Sequence, residues 1–362
     1  LARIAYLRGV LADEQKVLQI IKEELQEIRQ KFADPRRTVI SDEDTTLEAE
    51  DLIPEEEVVI TITNQGYIKR MPLDTYRSQK RGGRGITAMG TKEEDFVRHL
   101  FITSTHHYFL FFSNRGKVYR LKVHEIPEAG RQAKGTALVN LIYIGQQERI
   151  TAVIPVREFS SGLYLFMATR FGVVKKTELQ QFDTSRRDGI IAIKLDEEDE
   201  LVEVKLTSGR EEIMLCTRQG LVIRFPEGEV HPYGRNARGV KGISLQPGDT
   251  VVAMDIVRTE GDVLVVTANG YGKRTPVADY RLQSRGGKGI IGARVTGRTG
   301  PVVAMQVVKP EEEIMVISAE GIIIRLRAID ISTMGRATQG VMLMRLAPGD
   351  KLVAAALVSG EE

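Results

Sequence analysis

The sequence holds a single cysteine in 362 residues, and it lacks any run of the roughly 18 apolar residues that a membrane-spanning helix needs. One thiol excludes an internal disulfide framework. Cys216 lies in an apolar stretch typical of a buried strand, which fits a reducing cytoplasm. The chain begins at Leu1, inside a helical pattern and without an initiator methionine or a signal peptide. We therefore expect a piece of a longer cytoplasmic protein with no membrane segment.

The sequence also lacks a catalytic constellation. Its five histidines show no metal-ligand spacing. The stretch 85–90 resembles a phosphate-binding loop, but it is followed by Thr91 where the Walker pattern requires lysine. The sequence therefore predicts no catalytic residue, no metal site and no cofactor in this segment.

Charge is unevenly distributed along the chain. The first 55 residues hold 8 Lys or Arg against 13 Asp or Glu, although the whole chain has a formal net charge of +2. The remaining residues are therefore basic. A basic body suits a polyanionic partner, and the alternative is a modest excess of cations that merely aids solubility.

An apolar run, a turn glycine and a cation four residues later recur six times along the chain. Such self-similarity at a period of about fifty residues is the signature of a repeat architecture. The turn glycines are Gly66, Gly116, Gly172, Gly220, Gly270 and Gly321. The cations, here called the strand cations, are Arg70, Arg120, Lys176, Arg224, Arg274 and Arg325.

A second glycine follows each hairpin, before a small or β-branched residue. We place these glycines at Gly85, Gly135, Gly189, Gly242, Gly289 and Gly340. Four short strands per repeat then give six units, at about 56–105, 106–157, 162–207, 211–259, 262–309 and 312–358. Regular short strands also fit a sandwich, but a sixfold repeat favours a closed, propeller-like ring of blades.

The N-terminal segment is different in kind. Apolar residues from Ile4 to Phe32 follow the spacing of a coiled-coil seam, which predicts one helix over 1–33. An ordinary amphipathic helix packed on the globular part is the alternative. Asp34-Pro35 ends this helix. The acidic stretch 34–55 is predicted to be a linker, and 56–362 is predicted to be the all-β domain.

The loop before the second glycine carries the chemistry. In unit one it has the sequence Gln79-Lys80-Arg81-Gly82-Gly83-Arg84-Gly85. Glycines let main-chain N–H groups approach phosphate oxygens, and arginine pairs with phosphate bidentately. A flexible, solvated loop is the alternative. Because equivalent loops of a ring lie on one rim, we predict a positive belt around that rim, which suits a phosphate backbone. Its candidate cations, together with the strand cations, are Lys69, Arg131, Lys134, Arg186, Arg187, Arg235, Arg238, Lys241, Arg285, Lys288 and Arg336.

These features make the chain resemble the C-terminal domains of DNA gyrase A subunits. The stretch 79–85 matches the seven-residue box of that family at every position. Gly66-Tyr67-Ile68-Lys69-Arg70 and Tyr76-Arg77 resemble its first blade, and Asp34-Pro35-Arg36-Arg37-Thr38 resembles the end of its coiled-coil arm. The resemblance covers essentially the whole chain.

The resemblance implies a six-bladed β-pinwheel whose neighbouring blades exchange strands and whose basic rim bends duplex DNA. A wrap of fixed hand would let the gyrase holoenzyme introduce negative supercoils. ATP and Mg would be used by the partner B subunit in an A2B2 assembly with a second A subunit, in the cytoplasm at the nucleoid. Two alternatives stay open: the related topoisomerase IV domain, which serves decatenation, and a propeller that binds proteins through one face.

Overall fold

The computed structural model describes residues 1–33, 52–63, 65–73, 97–130, 133–145, 147–184, 186, 188–258 and 260–358, with the backbone alone for 97–100 and 358. Two compact units divide the chain, Leu1–Leu52 and Ile53–Glu362. Within the described residues, no helix is both long enough and apolar enough to cross a membrane.

The first unit contains two helices, α1 (Ala2–Leu11) and α2 (Glu14–Phe32). The prediction of one continuous helix over 1–33 is therefore wrong at Asp13. That residue takes an extended conformation and its carboxylate accepts a hydrogen bond from the Gln15 N–H at 3.1 Å, which caps α2. The apolar seam of α2 is exposed along its length, for example at Leu18 and Leu25.

The second unit consists of six sheets built to one plan. Each has a central hairpin, a longer strand on one side and, in five sheets, a two-residue strand on the other. The hairpins are β1 (Glu57–Thr63) with β2 (Tyr67–Pro72), β4 (Tyr108–Ser113) with β5 (Lys117–Lys122), β8 (Tyr164–Thr169) with β9 (Val173–Glu178), β12 (Glu212–Thr217) with β13 (Leu221–Pro226), β16 (Asp262–Thr267) with β17 (Tyr271–Pro276), and β20 (Glu313–Ser318) with β21 (Ile323–Arg327).

The longer strands are β3 (Val97–Ser104), β7 (Ile150–Val156), β11 (Leu201–Thr207), β15 (Val251–Ile256), β19 (Val302–Val308) and β23 (Leu352–Val358). Consecutive members of this set pack side by side from β7 to β23, and β23 also packs beside β3. They therefore surround a common axis, and the hydrophobic core shared by units one and two completes the ring. Five of them line a central cavity of about 390 Å³. The prediction of an all-β, six-bladed, propeller-like domain is confirmed.

The two-residue strands are β6 (Thr136–Ala137), β10 (Ile190–Ile191), β14 (Val240–Lys241), β18 (Ile290–Ile291) and β22 (Val341–Met342). Each is the outermost strand of its sheet and comes from the following unit. In the fourth sheet, for example, Ile290 and Ile291 of unit five pair with Val222 and Leu221 of unit four. Neighbouring blades therefore exchange strands. The sixth sheet contains three strands among the described residues, in the order β21-β20-β23.

Hydrophobic cores lie between blades, which explains why the hairpin strands are apolar on both faces. In β4, Phe109 and Phe111 belong to a core shared with unit one, whereas Leu110 and Phe112 belong to a core shared with unit three. Successive side chains of a strand point to opposite faces. A strand covered on both faces therefore reads as a continuous apolar run.

The exchanged strand begins at a glycine that touches the preceding blade. Gly289 has φ +74°, and a Cβ there would lie 2.8 Å from the carbonyl oxygen of Val222. In unit four the residue with this geometry is Gly239, which has φ +96° and where a Cβ would lie 2.4 Å from the carbonyl oxygen of Val174. The predicted mark at Gly242 is thus wrong by three residues, because Gly242 follows the exchanged strand instead of preceding it.

Candidate nucleic-acid interface

The strand cations of units one to five join neighbouring blades. Nε of Arg224 donates to the Glu212 carboxylate of its own hairpin at 2.6 Å. Its Nη1 donates to the carbonyls of Val277 and Tyr280 in the next unit, each at 3.1 Å. Each of these bonds has a charged partner, which makes it stronger than a neutral hydrogen bond. Arg224 therefore holds unit five against unit four.

Arg274 repeats this arrangement one unit later. It pairs with Asp262 at 2.6 Å and donates through Nε to the carbonyl of Ile331 at 2.9 Å. The acid lies twelve residues before the cation in both cases, and Glu313 with Arg325 has the same spacing. The twelve-residue interval spans one hairpin, so it brings acid and cation together at the same place in each blade.

Units two and three use an aromatic ring at that position instead of an acid. Arg120 lies over the Tyr108 ring at 5.0 Å and pairs across the blade boundary with Asp183 at 2.6 Å. Lys176 lies over the Tyr164 ring at 5.2 Å and donates to the carbonyl of Glu227 at 3.3 Å. The ring faces attract the cations electrostatically and thereby replace the missing carboxylate.

Several of the predicted rim cations are buried and so do not form an exposed belt. Lys176 and Arg274 are 5% and 6% exposed, and the predicted rim residue Lys69 is 0% exposed. The expectation that these three lie on an accessible rim is therefore wrong. Arg70 lies 4.0 Å from Glu128 and its side chain is 18% exposed, whereas the Arg325 side chain is 61% exposed.

The loops before the exchanged strands form a second set, here called the rim loops: 130–134, 184–188, 234–238, 284–288 and 335–339. Each leads into the outermost strand of one of the first five sheets, so these loops lie at the circumference of the ring. Gly239 is taken from here on as the second glycine of unit four. Five of the six units then have arginine four residues before their second glycine: Arg81, Arg131, Arg235, Arg285 and Arg336. A cation stands directly before the glycine in four: Arg84, Lys134, Arg238 and Lys288.

These loops and the residues beside them carry accessible positive charge. Arg186, Arg238, Lys241 and Lys288 are exposed. Arg238 also forms an ion pair with Asp196. An exposed ion pair of this kind is weak, so it leaves the guanidinium available to an anion.

The other rim-loop cations are half-buried and partly committed to the protein. Lys134 lies 3.8 Å above the Tyr67 ring. Arg285 donates through Nε to the Glu229 carbonyl at 3.0 Å and through Nη1 to the Lys241 carbonyl at 3.2 Å. Arg235 and Arg336 are also half-buried. These residues combine a structural contact with positive charge at the surface.

Unit three departs from the pattern. It has Ser185 where the other five loops carry arginine and Asp188 where four of them carry a cation, with Arg186 and Arg187 between them. Of the predicted residues, the box 79–85 together with Arg131 and Arg187 lies outside the described part of the chain. Their role in binding stays a prediction.

Three exposed cations near the rim do not belong to the set predicted from the sequence: Lys194, Arg294 and Arg345. Each lies five residues after the second glycine of its unit. The Arg294 N–H donates to the Thr338 carbonyl of the next rim loop at 3.0 Å, and the Lys194 N–H donates likewise to Ala237 at 3.1 Å. The fixed offset from the glycine could have identified them, but the misplaced mark in unit four, where Ser244 takes this position, obscured it.

Comparison with known proteins agrees with this architecture. The family model described as "DNA gyrase C-terminal domain, beta-propeller" matches six segments, 57–104, 107–157, 163–208, 211–258, 261–309 and 312–359. These segments follow the six units closely.

Among curated proteins, the DNA gyrase A subunit of Staphylococcus epidermidis (strain ATCC 12228 / FDA PCI 1200) is 50% identical over 99% of this chain and 41% of the relative. Its counterpart from Staphylococcus aureus (strain MRSA252) is 51% identical over 95% of this chain and 39% of its own length. The chain thus spans about two fifths of these relatives.

Two solved structures share the fold, each at 27% identity. The C-terminal domain of DNA topoisomerase IV gives a TM-score of 0.75 over 84% of this chain and 94% of that one. The DNA gyrase A C-terminal domain gives 0.67 over 83% and 99%. The family match extends over all six blades, and the chain therefore belongs to the DNA gyrase C-terminal domain family of beta-propellers.

Proposed function

We propose that the six-bladed domain binds duplex DNA along its rim and bends it around the ring. The observation that carries the proposal is the recurrence of cations at equivalent positions of successive rim loops, with Arg238 and Lys288 exposed directly before the second glycine. In this role the chain is the DNA-wrapping part of DNA gyrase, a type II topoisomerase of the bacterial cytoplasm, and it contributes no catalytic residue itself.

Distributed phosphate contacts suit bending better than a few base contacts do. Smooth bending of a 20–30 bp site by 40–90° costs roughly 1–6 kcal/mol. Each cation that neutralises a phosphate releases counterions, so many weak contacts can offset that cost. The described residues of the six blades include no helix long enough to read the major groove, so binding by this domain should depend little on base sequence. DNA wrapped on a basic spool is the nearest physical analogue.

A salt series on linear duplex DNA tests binding. We expect the logarithm of the association constant to fall steeply and linearly with the logarithm of salt concentration, by about 0.9 per phosphate contacted. A propeller that binds proteins through one face would show no detectable DNA binding at low salt. That result would overturn the proposal.

The direction of wrapping is tested by topology. The chain is bound to relaxed closed-circular DNA, a type I topoisomerase removes unconstrained supercoils, and the linking number is read after the protein is stripped off. We expect a change of one sign that grows with the amount of protein. Binding without any change in linking number would mean that the rim binds DNA but does not wrap it.

The role in the holoenzyme requires the full-length A subunit with the B subunit, which hydrolyses ATP. Changing Arg81 and Arg84 to alanine should abolish negative supercoiling, whereas ATP-independent relaxation should survive. Undiminished supercoiling would show that the box is not the anchor of the wrap.

The topoisomerase IV fold match, at the higher TM-score of the two, makes decatenation the second candidate. A holoenzyme that decatenates but never supercoils would favour it.

A further inference from the structure

Three lysines lie buried beneath the rim loops. Each directly precedes a strand cation in the sequence. Lys69, Lys175 and Lys273 are 0%, 0% and 1% exposed. Lysine is almost never fully buried without partners. In each case the ammonium donates to main-chain carbonyls of the rim loop that belongs to the following unit.

Lys175 has the most complete set of contacts. Its Nζ donates to the carbonyls of Gly234 at 2.9 Å and Ala237 at 3.3 Å, and also to that of Arg235. It further donates to the carbonyl of Ala192 in its own unit at 2.6 Å. Three carbonyls of the unit-four rim loop therefore point at the single ammonium of Lys175.

Lys273 and Lys69 repeat this contact in other units. Lys273 donates to the Gly335 carbonyl at 2.7 Å, to that of Arg336, and to the Thr338 hydroxyl at 3.2 Å. Lys69 donates to the carbonyls of Gly130 and Ala133, both at 3.1 Å. The acceptors occupy the same two positions in all three loops. One is the glycine five residues before the second glycine of the unit, and the other is the residue two positions before the second glycine.

Sequence and structure alternate together round the ring. Units two, four and six have Tyr119, Ile223 and Ile324 in place of the lysine. The loops of units one, three and five lack the glycine five residues before the second glycine, and they carry Lys80, Thr184 and Ser284 there instead. In unit five, the loop residue Gly287 lies against Ile223. Two kinds of support thus serve two kinds of rim loop.

Resting on the DNA-binding function proposed above, we propose that Lys175 and Lys273 are positioning residues that hold the rim loops of units four and six in the shape that presents Arg235 and Arg336 to phosphate. Neither ammonium touches DNA, because both are buried. The loop carbonyls point inward and accept hydrogen bonds from the ammonium. These bonds fix the main-chain conformation of the loop and therefore the positions of Arg235 and Arg336. An unpaired carbonyl in that position would be costly, so the loop rearranges when the ammonium is lost.

The charge state of these lysines gives a signature. Burial lowers the pKa of Lys175 to about 7 and that of Lys273 to about 8, and the nearby guanidiniums of Arg235 and Arg336 contribute to this lowering. The ammonium, which organises the loop, is present below these values and lost above them. DNA affinity should therefore fall as pH rises from about 6.5 to about 9, and phosphate at the arginines should oppose the loss of the proton.

The test compares K175I/K273I with I213V. Isoleucine already occupies the equivalent position in unit four, so the repeat tolerates it. I213V shortens a core side chain that is 0% exposed, which controls for a modest loss of stability. For the double variant we expect the salt slope to fall by about 2, one phosphate per loop, and the pH dependence seen with the wild type to flatten. The same slope and pH profile in both proteins would overturn the proposal.

Hydrogen exchange provides a readout that does not depend on DNA. The Ala237 and Thr338 N–H groups close turns within the two loops, on Gly234 and Gly335. They should exchange about tenfold faster in K175I/K273I than in I213V, and unchanged exchange would contradict positioning. If the double variant does not fold, the wild-type pH series decides, because affinity that is constant across the same pH range would overturn the proposal. If the wild type binds no DNA, the proposed function fails while the exchange result still decides positioning.

Discussion

Strand cations and rim-loop cations recur with the same period, yet the molecule uses them differently. Arg274 is 6% exposed and bound to Asp262 and to carbonyls of the next blade. Lys288, in the rim loop of the same unit, is exposed. A repeated cation therefore signals a repeated environment, which can be a contact between blades as readily as a surface for a polyanion. The exposed fraction of the cation distinguishes a contact between blades from a binding surface.

The largest expected effect sharpens this comparison within the strand cations. R274A removes one partner of a buried pair, so we expect the free energy of unfolding to fall by about 3–5 kcal/mol. R325A is the matched control, because Arg325 pairs with Glu313 at the same hairpin position while 61% exposed. It should cost at most about 1 kcal/mol. Denaturant unfolding measures both, and equal losses would contradict the assignment.

A charge gain in unit three tests the rim loops from the opposite direction. D188K places a cation directly before Gly189, where four other units have one, and Asp188 is exposed. The salt slope for duplex DNA should steepen by about 0.9 and affinity at low salt should rise. E260K makes the same charge change at an exposed residue of the connection between β15 and β16. An equal gain from E260K would mean that net charge, and not position, governs binding.

The smallest effect concerns a buried carboxyl at a blade boundary. Burial raises the pKa of Glu227 to about 7, and the nearby Glu211 carboxylate also raises it. The folded state therefore holds a proton that the unfolded chain releases near pH 4.5. Stability from this group is present at acid pH and lost as pH rises through about 7. Relative to E227Q, the wild type should lose stability from about pH 4.5 to about pH 7 and show no further loss at higher pH. Parallel curves would show that Glu227 does not titrate in that range.

Much of the fold follows from the sequence because glycine marks each turn. Gly66 to Gly321 give the six hairpins, and the continuous apolar strands between them show that both faces are covered. The helix break at Asp13 was missed because the apolar seam, interrupted only at Glu14, resumes in the same register at Leu18. Gly239 and Gly242 both precede a β-branched residue, so the sequence does not separate them. The positive φ of Gly239 and its close approach to the Val174 carbonyl oxygen do.

The candidate site was predicted less completely, for a physical reason. The same residue types serve structure and binding, and the sequence does not reveal which ammonium is surrounded by carbonyls. Lys69, predicted on the rim, is buried beneath it. Lys194, Arg294 and Arg345 were missed, although they are exposed. The register of the rim loops, once corrected in unit four, makes the arginine pattern visible from sequence alone.

The rim loops, and not other exposed cations, are proposed to bind DNA. The most direct test compares the salt slope of R238A/K288A, which removes the two exposed cations directly before Gly239 and Gly289, with that of R115A/R218A, which removes two exposed cations from hairpin turns. The rim-loop pair should reduce the slope by about 2, and the hairpin-turn pair should leave it unchanged. Equal reductions in both variants, or no reduction in the rim-loop variant, would contradict the account.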